Sequence, residues 1–280
     1  MKDNNSQVKQ LCYIYSMLNI MNSEIKITLV QYDIVWENVN ENLKLLSSKL
    51  LSETIETDLI ILPEMFTTGF TNNISCVNNQ DQVSTIEFMK KVVEKHKCAI
   101  VGSILYMEDN KYYNRLIFID KNDNFTSYDK NHLFSLTGED KVITQGINKI
   151  IIQVNDWKIM PIICYDVRFP TWLQNNCTNA HVMEYDYDCL ICVANWPSIR
   201  KNHWTSLLTA RALDNQCYVV GVNRIGTDGN NRTYTGNSSV INPLGEILFT
   251  TSDDTVYTLK LKKNIINEWR SSFPILLDQS

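Results

Sequence analysis

Cys164 closes an apolar run, Met160-Pro161-Ile162-Ile163, and Tyr165-Asp166 and a helix signal at Pro170 follow it. A cysteine on a sharp strand-to-helix turn projects from the end of a sheet, with backbone N–H groups aimed at the space above it. That setting favours a thiolate and offers donors to an oxyanion. Taken singly, the same residue equally suits a small buried hydrophobe. A nucleophilic cysteine needs a base, and the usual partner is histidine. His96 lies at a polar helix end and His181 in an Asn-rich loop, so both read as solvated. His132 and His203 lie near candidate loops, yet no Asn or Asp orienter stands at a telling spacing, and a Cys-His site has no local signature. A carboxylate at a strand end is the other option. Glu64 directly follows Leu59-Ile60-Ile61-Leu62, whose pairing Pro63 ends, with Phe66 and Phe70 beside it. Partly buried there, it would suit proton transfer. Lys130 follows Phe125–Asp129, and a cation at that strand end could stabilise a developing oxyanion. Alone, either residue also fits a solvated strand end.

The elements that must hold these groups alternate between strand-like and helix-like patterns. Strands are expected at 25–31, 58–62, 98–106, 113–120 and 125–129, with amphipathic helices at 38–52 and 80–97. A hairpin at 149–163 turns on Asn155-Asp156, a helix starts near Pro170, and a strand covers 189–194. A helix at 200–216, strands at 217–223, 234–242, 246–250 and 255–261, and a short C-terminal helix complete the chain. No linker rich in Pro, Gly or Ser interrupts this order, so one α/β domain is the simplest account. The loops 64–79 and 130–148 are long for their position, and loops at strand ends are where sites are built. On the 200–216 helix, Trp204, Leu207, Leu208, Arg211, Ala212 and Asn215 share one stripe. Its polar members imply either a buried hydrogen-bonded network or a subunit interface.

Composition bounds the function. The net charge of −5 over 280 residues, with no run of five basic residues, argues against nucleic acid as a partner. No stretch of 18 apolar residues exists to span a membrane. The eight cysteines read as reduced thiols, most of them inside apolar strands. Cys189 and Cys192 form a CxxC, but residues three apart on a strand face opposite ways and cannot chelate one ion. Leu11–Met21 faintly resembles a signal peptide but is interrupted by Ser16 and Asn19 and lacks a cleavage site. Residues 1–22 are therefore expected to be a disordered extension, residues 23–280 the catalytic domain, and the location cytoplasmic.

LPEMFTTGF (62–70), YDKNHLF with GED shortly after (128–140) and ICYDVRFP (163–170) occur in that order. They resemble the Glu, Lys and Cys motifs of the nitrilase, or carbon–nitrogen hydrolase, superfamily. VANWPSIR (193–200), TARALDNQCYVVGVNRIGTDGN (209–230) and SSVINPLGE (238–246) extend the resemblance from about Ile25 to Leu261. Within the superfamily the EMFTTGF, ANWP and NRIGTDGN segments look most like omega-amidases, which hydrolyse 2-oxoglutaramate and related ω-monoamides. The resemblance implies a four-layer α-β-β-α sandwich whose subunits pair face to face as a homodimer or higher homo-oligomer. It implies Glu64 as general base, Lys130 as oxyanion stabiliser, Cys164 as nucleophile, and Glu139 as a second glutamate placing substrate near Lys130. The chemistry implied needs no metal or cofactor, and the only ligand is a small amide. The backbone N–H of Tyr165 is a second oxyanion donor. Phe66 and Trp196 are expected as pocket walls. Arg168 is read either as a carboxylate binder or as part of a structural salt bridge. Asp214 stands where glutamate is more usual in the family.

Overall fold

The computed structural model describes residues 23–179 and 184–278. The expected extension over 1–22, Cys12 and His181 lie outside the described residues. In chain order the first sheet holds β1 (Glu24–Gln31), β2 (Leu59–Ile61), β3 (Ala99–Glu108), β4 (Lys111–Ile119) and β5 (Phe125–Asp129). The second holds β6 (Ile152–Val154), β7 (Trp157–Ile163), β8 (Cys189–Val193), β9 (Tyr218–Val222), β10 (Ser238–Ile241) and β11 (Ile247–Thr251). The last strand, β12 (Thr255–Lys262), returns to the first sheet and pairs antiparallel with β1. Strand order is β12-β1-β2-β3-β4-β5 in one sheet and β11-β10-β9-β8-β7-β6 in the other. Each sheet is parallel at its centre, through β1-β2-β3 and β7-β8-β9, and antiparallel at its margins.

The sheets pack face to face because their strands are apolar on both sides. Ile27, Leu29, Leu59, Ile61 and Val101 of the first meet Ile159, Ile163, Ile191, Val193 and Val220 of the second. On the outer face of the first sheet lie α1 (Val39–Leu50) and α2 (Asn79–His96), burying Leu46, Leu50, Phe88 and Met89 over Ile60 and Ile100. Asn78 caps α2 reciprocally with Asp81, two donors satisfied at once. On the outer face of the second sheet, α3 (Lys201–Asn215) buries Trp204, Leu208 and Ala212 over Leu190 and Val219. Gly221 permits that approach, since a Cβ there would lie 2.4 Å from Leu208. A short α4 (Lys263–Ser272) follows β12. This is the expected α-β-β-α sandwich.

The two-residue turn at Asn155-Asp156 joins β6 and β7 as expected, with Asn155 at φ 55°. Cys189 falls in the inter-sheet core and Cys192 in the outer one, so strand periodicity read the CxxC correctly. All seven described cysteines are free thiols. The stripe on α3 is a buried network: Arg211 Nε donates to the Val167 carbonyl (3.1 Å), and Asn215 Oδ1 accepts from the Asn175 N–H (3.0 Å).

Three expectations need correction. The helix expected from Pro170 is two short 3₁₀ turns, Cys164–Arg168 and Pro170–Leu173. The expected strand at 234–242 breaks at Gly236 (φ 68°) and Asn237 (φ 59°), because Gly236 packs against the Gln31 side chain. Its first part, Thr233–Thr235, pairs instead with Ile225–Thr227 in a separate ribbon. His96 is buried rather than solvated: Nδ1 accepts from the Ile55 N–H (3.0 Å) and Nε2 donates to the Leu50 carbonyl (2.6 Å).

Candidate active site

The carboxyl ends of the central parallel strands point to one edge of the sandwich, where a crevice between sheets collects side chains. Glu64 follows β2, Lys130 follows β5, Cys164 follows β7 and Asn195 follows β8. Together they form the floor of a narrow cavity of about 50 Å³. Grooves of about 330 Å³ at Asp58–Asn155 and at Tyr113–Asn148 are larger but contain none of these four residues.

Each floor residue is fixed through its own backbone. The Met65 N–H donates to Ser103 Oγ (2.9 Å) and the Phe66 N–H to the Ser103 carbonyl (3.0 Å), which clamps the chain after Glu64 onto β3. Met65 sits at φ 41°, an unfavourable conformation for a residue with a side chain. The Lys130 N–H donates to the Asn114 carbonyl (3.0 Å), and the Lys130 carbonyl accepts from the Gly146 N–H (2.9 Å). Cys164 occupies the left-handed region at φ 46°, the kind of local strain that surrounding structure must enforce. Asp166 does the enforcing. Its fully buried carboxylate accepts from the Ile163 N–H (3.1 Å), the His132 N–H (2.8 Å), His132 Nδ1 (2.9 Å) and the Tyr128 hydroxyl (2.8 Å).

The charges on the floor are buried and paired. Glu64 and Glu139 are 0% exposed and Lys130 is 1% exposed. Lys130 Nζ lies 2.9 Å from Glu64 Oε1 and 3.0 Å from both Glu139 oxygens. Asn114 Nδ2 bridges the carboxylates, 2.8 Å from Glu64 Oε1 and 3.3 Å from Glu139 Oε1. The Asn195 N–H donates to Glu64 Oε2 (2.7 Å), and the Phe134 N–H donates to Glu139 Oε2 (2.6 Å). Burial opposes the Lys130 charge, but the adjacent Glu139 and Glu64 outweigh it and hold the ammonium well above the usual lysine range. Burial pushes the Cys164 thiol well up and the Glu64 charge adds to it, with Lys130 pulling the other way. Burial also raises the Glu139 carboxyl, against the pull of Lys130. Every polar neighbour of Glu139 donates to it, so it serves as an anchor for Lys130.

The walls are aromatic and the mouth is basic. Phe70, Phe134, Tyr165, Trp196 and Tyr234 line the cavity, with Arg168, Arg200 and Arg232 around it. Lys130 Nζ stands 5.0 Å above the Phe70 ring. Trp196 is held by Asn223, whose Oδ1 accepts the Trp196 N–H at 2.8 Å.

Of the residues singled out in the sequence, Glu64, Lys130, Cys164, Tyr165, Arg168 and Trp196 line this cavity. Glu139 stands one contact behind, on Lys130. Phe66 is not a wall: it is fully buried in the core under α1 and α2, and Phe70 takes the place expected of it. Arg168 forms no salt bridge to a carboxylate among the described residues; it lies 4.8 Å over Trp196 and 3.2 Å from His203 Nδ1. His132 does have an orienter, Asp166, but its ring stacks on Phe169 at 3.7 Å and supports the turn instead of lining the cavity. Asn114, Asn195, Asp166 and Arg200 were missed as individuals. The last three stand inside segments already notable by motif, and Asn114 is a polar residue in an otherwise apolar strand, a legible signal. Among the described residues no group of three His, Cys, Asp or Glu side chains is arranged to hold a metal ion.

The carbon-nitrogen hydrolase family model matches residues 26–271. Over 256 residues the chain is 37% identical to the omega-amidase YafV of Escherichia coli, covering 91% of this chain and 96% of the relative. It is 33% identical to the 2-oxoglutaramate amidase of Bacillus subtilis over 225 residues, 79% of this chain and 84% of that one. Among solved structures, XC1258 of Xanthomonas campestris, a CN-hydrolase superfamily protein, superposes with a TM-score of 0.88 at 33% identity. The match covers 92% of this chain and 98% of that one.

Proposed function

The chain belongs to the carbon–nitrogen hydrolase family, whose members cleave non-peptide C–N bonds, and from that premise we propose that it is an omega-amidase acting on a short amide with a carboxylate at its far end. The observation that carries this reading is one narrow cavity with a thiol, a carboxylate and an ammonium on its floor and guanidinium groups at its mouth. The names of the two amidase relatives support the substrate class.

Cys164 is the nucleophile. Glu64 Oε1 already accepts from Lys130 and Asn114, whereas Oε2 accepts from the Asn195 N–H and keeps a lone pair for the thiol proton. As sulfur bonds to the amide carbon, the proton passes to Glu64 and charge develops on the carbonyl oxygen. Lys130 and the Tyr165 N–H stabilise that oxyanion; Tyr165 is second in a 3₁₀ turn, where an N–H has no partner within the turn. Such donors are worth about 3–4 kcal/mol each in the transition state. Glu64 returns the proton to nitrogen, the C–N bond breaks, and ammonia leaves a thioester on Cys164. Glu64 then deprotonates water, which attacks the thioester and releases carboxylate and thiol. One base serves both halves.

Among the described residues no helix is long and apolar enough to cross a membrane. A cytoplasmic, homodimeric enzyme completes the proposal. Exposed Leu213 on α3, which packs against Gly245 next to exposed Leu244, supports an interface on that side, which sedimentation would test. The function is tested by an ammonia-release screen over ω-amides, nitriles and carbamoyl amino acids. 2-Oxoglutaramate or succinamate should exceed butyramide by about a hundredfold in kcat/KM. Comparable rates on butyramide, or preference for a nitrile, would overturn the omega-amidase reading.

A further inference from the structure

Among the described residues three guanidinium groups line the cavity with a single carboxylate, Glu64, which is already engaged by Lys130, Asn114 and Asn195. The three are not equivalent. Arg168 is wedged 4.8 Å over Trp196 and 5.9 Å over Tyr165, and one of its amino groups meets His203 Nδ1 at 3.2 Å. Arg232 already faces an anion, with Nη1 3.9 Å from Asp228 Oδ2. Arg200 differs from both. Among the described residues no carboxylate lies within ion-pair distance of it, and its guanidinium has only the Phe134 ring beneath it, 5.6 Å from the centroid.

Its backbone, by contrast, is pinned. The Arg200 N–H donates to the Pro197 carbonyl (3.0 Å), and its own carbonyl accepts from Trp196 Nε1 (2.8 Å), so the residue is tied to a cavity wall. Phe134, beneath the guanidinium, is held by its N–H on Glu139. A partly buried cation on a fixed backbone, resting on a fixed ring, keeps its planar donor edge free for a forked pair with a carboxylate. We propose that Arg200 receives the far carboxylate of the substrate and is the residue that sets the preference for ω-amides of dicarboxylates. This deepens the function proposed above and rests on it. Arg168 then acts as a wall that shapes the cavity, and Arg232 adds a weaker, half-compensated field.

The test measures kcat and KM for succinamate and butyramide in the wild type, Arg200→Ala, Arg200→Lys, Arg168→Ala and Arg232→Ala. In Arg200→Ala the preference for succinamate should fall by about thirtyfold or more, carried mainly by KM, because a charge-assisted pair to the bound substrate is lost in ground and transition state alike. Arg200→Lys keeps the charge without the fork and should fall between. Arg200→Glu should turn the preference around, favouring γ-aminobutyramide, whose far end is an ammonium, over succinamate. Wild-type preference retained in Arg200→Ala, or abolished instead by Arg168→Ala or Arg232→Ala, would overturn the assignment while leaving the omega-amidase reading intact. A wild type that does not distinguish succinamate from butyramide would overturn both.

Discussion

The floor and the mouth of the cavity handle charge in opposite ways. On the floor and directly behind it, Glu64, Lys130 and Glu139 are sealed from solvent and held by one another, by Asn114 and by backbone N–H groups. At the mouth, Arg168, Arg200 and Arg232 are partly exposed, and among the described residues no carboxylate pairs with Arg200. A buried ion pair contributes little net stability, because desolvation offsets its attraction. A fully satisfied network does fix positions, and fixed positions are what a transition state requires. An unpaired surface cation contributes little to folding and remains available to a ligand. In the function proposed above, the floor serves the reacting bond and the mouth chooses which molecule presents it.

The sharpest way to break that contrast is to remove groups from the floor. Cys164→Ala should lower kcat by about 10⁴-fold or more while leaving the melting temperature near that of the parent, as measured by ammonia release and thermal unfolding. Lys130→Ala should lower kcat by about 10²–10³-fold with little change in KM, because an oxyanion contact forms mainly in the transition state. It also strands two buried carboxylates, which destabilises the fold by about 3–5 kcal/mol. Burial already raises the Glu139 carboxyl, so the folded variant binds protons more readily than the unfolded chain. Its stability is therefore fullest at low pH and is lost as pH rises; Tm at about pH 5.5 should exceed Tm at about pH 8. The reverse ordering would show that these carboxylates are not desolvated in the variant.

Glu64→Gln probes the floor with two readouts of opposite sign. Turnover should vanish with no burst of ammonia, since one base serves both steps. Burial and then the Glu64 charge hold the Cys164 thiol up, so removing that charge lets Lys130 lower it. Alkylation of Cys164 at fixed pH should therefore speed up in the inactive variant. The smallest effects separate wall from core. Phe66→Leu should cost about 1–2 kcal/mol of stability and leave KM unchanged, whereas Phe70→Leu should alter KM.

Much of this was legible in the sequence because strand ends are. Strands legible as ending near Leu62, Asp129 and Ile163 put Glu64, Lys130 and Cys164 at strand ends, and motif order grouped them. Glu139 was legible only by motif, since its position behind Lys130 depends on a 3₁₀ turn with no periodic pattern. Phe66 was misread because Phe66 and Phe70 are alike in sequence. Only the turn at Met65 and Gly69, both at positive φ, sends one ring under the helices and the other into the cavity. The helix expected at Pro170 failed for a related reason: proline suits a helical first position but does not dictate how far the helix continues. Arg200 was legible only as the end of the VANWPSIR segment, because what distinguishes it, the lack of a carboxylate partner among the described residues, depends on folded neighbours.

In the proposed mechanism Cys164 carries the acyl group between two half-reactions. Enzyme mixed with succinamate, quenched in acid within the first turnovers and digested, should yield the Cys164 peptide heavier by the succinyl group. The adduct should be absent from Glu64→Gln. Normal turnover with no adduct on Cys164, or an adduct on another cysteine, would contradict the account.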